Sequence, residues 1–182
     1  FGFGLSYTSF DWEVTEIPLD KSINGNNPIS IKVKVTNTGE ARGKEVAELY
    51  ASAPYTKGGI EKSFVNLVGF EKTALLAPGE SQTISISVLA DDFASYDCYD
   101  KNGNNFKGYE LEKGEYVLKL MQNCHDEKDF EDNELTFTVK NDIKVQTDYY
   151  SGEKVYNKFT GDNAWDGASL DGNDDGVTAV EY

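Results

Sequence analysis

The chain has 182 residues, enough to bury a core and to hold one domain with a sizeable appendage. Its 32 Asp and Glu against 17 Lys and Arg leave a formal charge of −15. That charge repels phosphate backbones and anionic headgroups and argues against nucleic acid and bare membrane as partners. No apolar run approaches the roughly 18 residues needed to cross a bilayer. Cys98 and Cys124 are the only cysteines, too few for a disulfide scaffold. They read as two reduced thiols, with a single disulfide as the alternative for an exported protein, and the compartment stays open.

In chain order, the first strand signal is the short run from Phe10 to Val14. Ile29, Ile31, Val33 and Val35 then alternate with Ser30, Lys32, Lys34 and Thr36, the period of two expected when one sheet face is buried. This reading places Val33 and Val35 in the core and turns Lys32 and Lys34 outward. Runs at residues 46–51 and 64–75 follow, and the alternation returns at Ile84, Ile86 and Val88. It appears again at Tyr116, Leu118 and Leu120 and at Leu135, Phe137 and Val139. About seven strands with intervening turn residues predict an all-β antiparallel sandwich. Residues 52–63 and 91–108 read as its two long connections, where binding usually lives. The second reads equally well as a solvated insertion.

Composition changes after residue 141. Residues 142–182 read as an extended, acidic connector that holds Tyr149, Tyr150, Tyr156, Phe159 and Trp165 and then becomes rich in Gly and Asp. Its apolar residues are too irregular to form a core. Five large rings are too many to leave in water, so at least two are expected to pack on the sandwich along residues 142–159.

The N-terminal run Phe1-Gly2-Phe3-Gly4-Leu5-Ser6-Tyr7-Thr8-Ser9-Phe10 resembles the "P-F-G-x-G-L-S-Y-T-x-F" segment of family 3 glycoside hydrolases. Asn37-Thr38-Gly39, Gly43-Lys44-Glu45-Val46 and Glu48-Leu49-Tyr50 are similar to that family's "V-x-N-T-G-x-x-x-G-x-E-V-x-Q-L-Y". Leu67-Val68-Gly69-Phe70-Glu71-Lys72 and Leu76-Ala77-Pro78-Gly79-Glu80-Ser81 resemble its "L-x-G-F-x-K" and "L-x-P-G-E-S". The order of the four blocks makes the signal specific. The resemblance implies a junction from a preceding α/β-sandwich domain over residues 1–10, a fibronectin-III-like, immunoglobulin-type β-sandwich over residues 10–141, and a connector over residues 142–182. The absence of an initiating Met fits a piece cut from a longer protein. The tail from Lys154 onward looks like the connector of the permuted members, in which the β/α barrel follows. Leu111-Glu112-Lys113-Gly114-Glu115-Tyr116 resembles the fibronectin-III "L-x-P-G-x-x-Y" turn without its Pro. Tyr116 is therefore expected to hydrogen-bond back to the backbone and lock a crossover between sheets.

The chemistry carried by the residues themselves is sparse. Retaining glycoside hydrolysis needs two carboxyl groups about 5–5.5 Å apart, and in the family that this chain resembles these come from the barrel and its partner domain. Asp11-Trp12 follows Phe10 and not Ser, so the nucleophile motif is missing and no catalytic residue is assigned. The acidic run at residues 126–132 reads as a solvated hairpin loop. Cys124 and His125, taken as strand neighbours, point to opposite faces and cannot act as a nucleophile–base pair. Asp171, Asn173 and Asp175 match the opening D-x-[DN]-x-[DN]-G of a calcium loop, but Tyr182 stands where its closing Glu belongs. Tyr55, Tyr96, Tyr99 and Trp165 are the substrate-proximal candidates, as loop rings able to stack on sugars, with core or interdomain packing as their competing use.

The sequence thus points to a non-catalytic accessory domain of a β-glucosidase-type hydrolase that scaffolds the catalytic domains and shapes outer subsites. Its partners are the other domains of its polypeptide and, through the parent, a β-glucoside or oligosaccharide; no cofactor is expected. The competing reading is a stand-alone carbohydrate-binding or adhesive module with calcium in its tail.

Overall fold

The computed structural model describes residues 2–155 apart from 26, 131 and 132. Two antiparallel sheets carry the fold. One has the order β1(Phe10–Glu16), β2(Ile29–Asn37), β5(Ser81–Val88). The other has the order β4(Asn66–Lys72), β3(Val46–Ser52), β8(Gly114–Met121), β9(Glu134–Val139). A small third sheet joins β6(Ser95–Asp97), β7(Gly108–Leu111) and β10(Ile143–Lys144). The seven strands expected from the alternation are those of the two main sheets. Among the described residues no helix is long and apolar enough to cross a membrane.

Alternation becomes packing in β2, where Ile29, Ile31, Val33 and Val35 are buried and the residues between them are half-buried. Val33 pairs with Val14 on one side and Ile84 on the other, so one buried stripe runs across three strands. On the outer face Lys32 meets Glu16 at 2.7 Å and Lys34 lies 3.4 Å from Glu13. Leu118, Leu120, Leu135, Phe137 and Val139 supply the facing stripe of the other sheet. Tyr116 is buried at the base of β8 and donates its hydroxyl to the Glu112 carbonyl at 3.2 Å, which is the corner expected from the sequence.

Strand β3 departs from simple alternation. Ala47, Leu49 and Ala51 belong to the core, yet Glu48 and Tyr50 on the opposite face are buried too. The N-terminal segment accounts for part of this cover, since Gly2 lies directly against the Glu48 carboxylate.

Residues 91–108 are not the open connection that their polar composition suggested. They contain a 3-10 turn, Ala90–Phe93, and β6. Phe93 is buried edge-on against Tyr116, with ring centroids 6.3 Å apart. The turn places one ring in the core, a use that period-two reasoning cannot register. Past residue 141 the chain continues along the sandwich: Ile143 and Lys144 pair with Leu111 and Glu110, and Val145 is buried with its amide bonded to the Tyr109 carbonyl at 2.9 Å. The anchors are aliphatic. Tyr149 and Tyr150 stay exposed, stacked edge-on with each other at 5.4 Å, while Tyr156, Phe159 and Trp165 lie outside the described residues.

The antiparallel order sorts the connections to two ends of the sandwich. Residues 2–9 and the β2–β3, β4–β5 and β8–β9 connections lie at one, the junction end. The β1–β2 and β3–β4 connections, the insertion between β5 and β8, and the segment after β9 lie at the other, the far end.

Candidate functional site

All four sequence blocks contribute to the junction end. Asn37, fully buried at the close of β2, is the hub of three hydrogen-bonded connections. Its side-chain oxygen accepts from Thr8 Oγ1 at 2.7 Å and from the Gly39 amide at 3.1 Å. Its amide nitrogen donates to the Ala41 carbonyl at 2.8 Å and the Leu76 carbonyl at 2.9 Å. The Asn37 backbone bonds Glu80 and Gly79, at 2.9 and 2.8 Å. One side chain thus joins the N-terminal segment, the β2–β3 connection and the β4–β5 connection. An Asn is suited to this because it offers both a carbonyl acceptor and two donors.

Gly39 and Gly43 clear the bed in which residues 8–10 lie. A Cβ on Gly39 would stand 2.7 Å from the Ser9 nitrogen, and one on Gly43 would stand 2.6 Å from Thr8 Cγ2 and 3.0 Å from the Phe10 ring. The Thr38 amide then bonds the Ser9 carbonyl at 2.8 Å. From the β8–β9 connection Lys128 reaches over to donate to the Phe10 carbonyl at 2.7 Å, its ammonium 5.1 Å from the Trp12 ring centroid. Residues 8–10 are therefore clamped from both sides. The residues preceding them carry their large apolar side chains outward: Phe3 is 72 %, Leu5 91 % and Tyr7 fully exposed.

Between this segment and β3 is a cavity of about 510 Å³, lined by Gly2, Gly4, Leu5, Glu45, Glu48, Lys72 and Lys128 among others. Burial raises the Glu45 carboxyl above its ordinary pKa, partly offset by the Val46 amide and by Lys128. Glu48 accepts the Tyr50 hydroxyl at 2.8 Å, and burial and that carboxylate push the phenol's ionisation upward. Both carboxyl groups are engaged by groups of β3.

The far end holds the predicted sugar-facing rings. Tyr55 is 55 % exposed on the β3–β4 connection, its hydroxyl 3.4 Å from Glu61. Tyr99 is 54 % exposed beside Lys101. Tyr96 is half-buried and packs edge-on to Tyr109 at 4.9 Å. The connection and the insertion meet where Lys62 donates to the Pro54 carbonyl and pairs with Glu112. Trp165, Asp171, Asn173 and Asp175 lie outside the described residues.

Cys98 and Cys124 are not joined in a disulfide. Cys124 and His125 belong to a turn, not to a strand as the sequence reading had it, because Asn123 Oδ1 accepts the His125 and Asp126 amides and closes the chain on itself. His125 is exposed and Cys124 half-buried. Among the described residues no three His, Cys, Asp or Glu side chains converge as a metal centre.

The 3+4 arrangement of the main sheets, with a tyrosine corner at the foot of β8, defines a fibronectin-III-type sandwich. Residues 45–123 match the fibronectin type III-like domain family. The chain is 45 % identical over 118 residues to a β-glucosidase of Ruminococcus albus, covering 65 % of this chain and 12 % of that protein. It is 33 % identical over 165 residues to thermostable β-glucosidase B of Acetivibrio thermocellus, covering 90 % of this chain and 18 % of the relative. The structure of β-glucosidase 3B from Thermotoga neapolitana in complex with glucose superposes with a TM-score of 0.61 at 32 % identity, over 79 % of this chain and 17 % of that one. The chain therefore contains a fibronectin type III-like domain of the kind found in these β-glucosidases. It spans less than a fifth of the length of these relatives.

Proposed function

We propose that this domain is non-catalytic and scaffolds the catalytic domains of a retaining, cofactor-independent hydrolase of β-linked glucosides, gripping the end of a preceding α/β-sandwich domain at its junction end. The seating of residues 8–10 carries this reading. Asn37, Gly39, Gly43 and Lys128 are all spent on fixing the path of that short segment, and Phe3, Leu5 and Tyr7 are left exposed just beyond it. Apolar side chains turned outward at a held boundary suit burial against another domain. At the far end, Tyr55, Tyr96 and Tyr99 are proposed to approach the outer substrate subsites of the assembled enzyme.

The test is a pair of assays. The chain alone should hydrolyse aryl β-glucosides no faster than buffer, and the longer polypeptide carrying Gly43→Val should lose its Tm and its activity together. Turnover by the isolated chain that survives repurification and disappears on replacing one of its own carboxylates would overturn the scaffold reading. Tight oligosaccharide binding by the isolated chain would favour the binding-module reading instead.

A further inference from the structure

We propose that Asn24 is a site of spontaneous covalent modification in the folded protein, converting to aspartate and isoaspartate through a cyclic imide with Gly25. The fold protects the other candidate, since Asn24-Gly25 and Asn102-Gly103 are the only Asn-Gly pairs in the chain. A following Gly matters because no Cβ shields its backbone nitrogen. That nitrogen gives up its proton to base and bonds to the Asn Cγ, and the side-chain nitrogen leaves as ammonia. Water then opens the imide. Opening at the side-chain carbonyl leaves aspartate, and opening at the main-chain carbonyl leaves isoaspartate. The sum is an amide and water giving a carboxylic acid and ammonia, with no oxidant or cofactor. The step needs two freedoms: the Asn side chain must swing over the next nitrogen, and that nitrogen must have no acceptor holding it.

At Asn102 both freedoms are lost. The Gly103 amide donates to the Asp100 carbonyl at 3.1 Å. Asn102 Oδ1 accepts the Asn104 amide at 3.2 Å, and the same side chain lies against the buried Glu110 carboxylate. Reaction there requires the turn to open first. At Asn24 neither group is held. Asn24 is exposed, and among the described residues neither its side chain nor the Gly25 amide makes a hydrogen bond. The pair lies outside every strand. Gly25 has φ +83°, and the nearest atom to a Cβ built on it would be Ile143 Cγ2 at 3.8 Å, so the attacking nitrogen is not crowded.

The position gives the change a consequence. Residues 21–23 cover the outer edge of β9: the Thr138 amide donates to the Lys21 carbonyl at 2.7 Å, and the Ile23 amide to the Thr138 carbonyl at 2.9 Å. Ile23 is buried. Conversion places a new carboxylate immediately after this cover and next to Gly25, which lines the same cavity as Asp91 and Asp148. The aged chain is therefore one charge more acidic at the far end.

The experiment incubates the full chain at pH 8 and 37 °C in water enriched in heavy oxygen, both folded and in guanidinium chloride. The two Asn-Gly peptides are then followed by mass spectrometry. In the folded chain the Asn24 peptide is expected to convert at least about tenfold faster than the Asn102 peptide, which reacts only from a locally opened state. Its products should carry one heavy oxygen and separate into aspartate and isoaspartate forms. Denaturation should bring the two rates together. Asn24→Gln should remove the first signal and leave the second unchanged. Equal rates in the folded chain, or an Asn24 peptide that converts only in guanidinium chloride, would overturn the proposal.

Discussion

The Tyr116 hydroxyl is bonded to the carbonyl of Glu112, four residues upstream and 3.2 Å away. This contact closes the turn by which the chain leaves the far-end insertion and starts β8. The Tyr116 ring also supports Phe93 from the insertion, so one residue fixes both the start of a strand and the seat of the segment before it. Replacing it by Phe keeps the ring and removes the bond. Tyr116→Phe is expected to fold and to lose about 1–2 kcal/mol, read by denaturant titration. Loss within error of zero would mean that the corner acts through ring packing alone.

Val35 is fully buried between Trp12 and Gln82 in the strand ladder. Val35→Asp places a carboxylate in the apolar core. The cost of several kcal/mol is comparable to the whole stability of a domain, about 5–15 kcal/mol. The variant is expected to be largely unfolded or insoluble at 25 °C. An unchanged Tm by circular dichroism would show that this register is wrong.

Glu45 gives a pH prediction whose sign follows from its raised carboxyl pKa. A raised value means that the folded state holds the proton more tightly than the unfolded state. Its favourable contribution is complete below the unfolded value of about 4.3 and is lost as pH rises through the folded value. Glu45→Gln, which keeps an oxygen for the Val46 amide, should therefore melt higher than the parent at pH 7. The difference should vanish towards pH 4. A variant less stable at pH 7 would show that attraction to Lys128 outweighs burial.

The strand alternation was legible in the sequence because a sheet with one buried face imposes a period of two, which β2, β5 and β9 obey throughout and β8 obeys as far as Leu120. The outward Lys32 and Lys34 followed from the same rule. Motif order named the domain, and the shortened corner motif pointed to Tyr116, because both are local patterns read within a few residues. What the sequence could not show was convergence. Asn37, Thr8, Leu76 and Lys128 are far apart in the chain, and only the antiparallel crossing of strands brings their connections to one end. Period-two reading also mistook residues 91–108 for an open connection, since Phe93 enters the core from a single 3-10 turn.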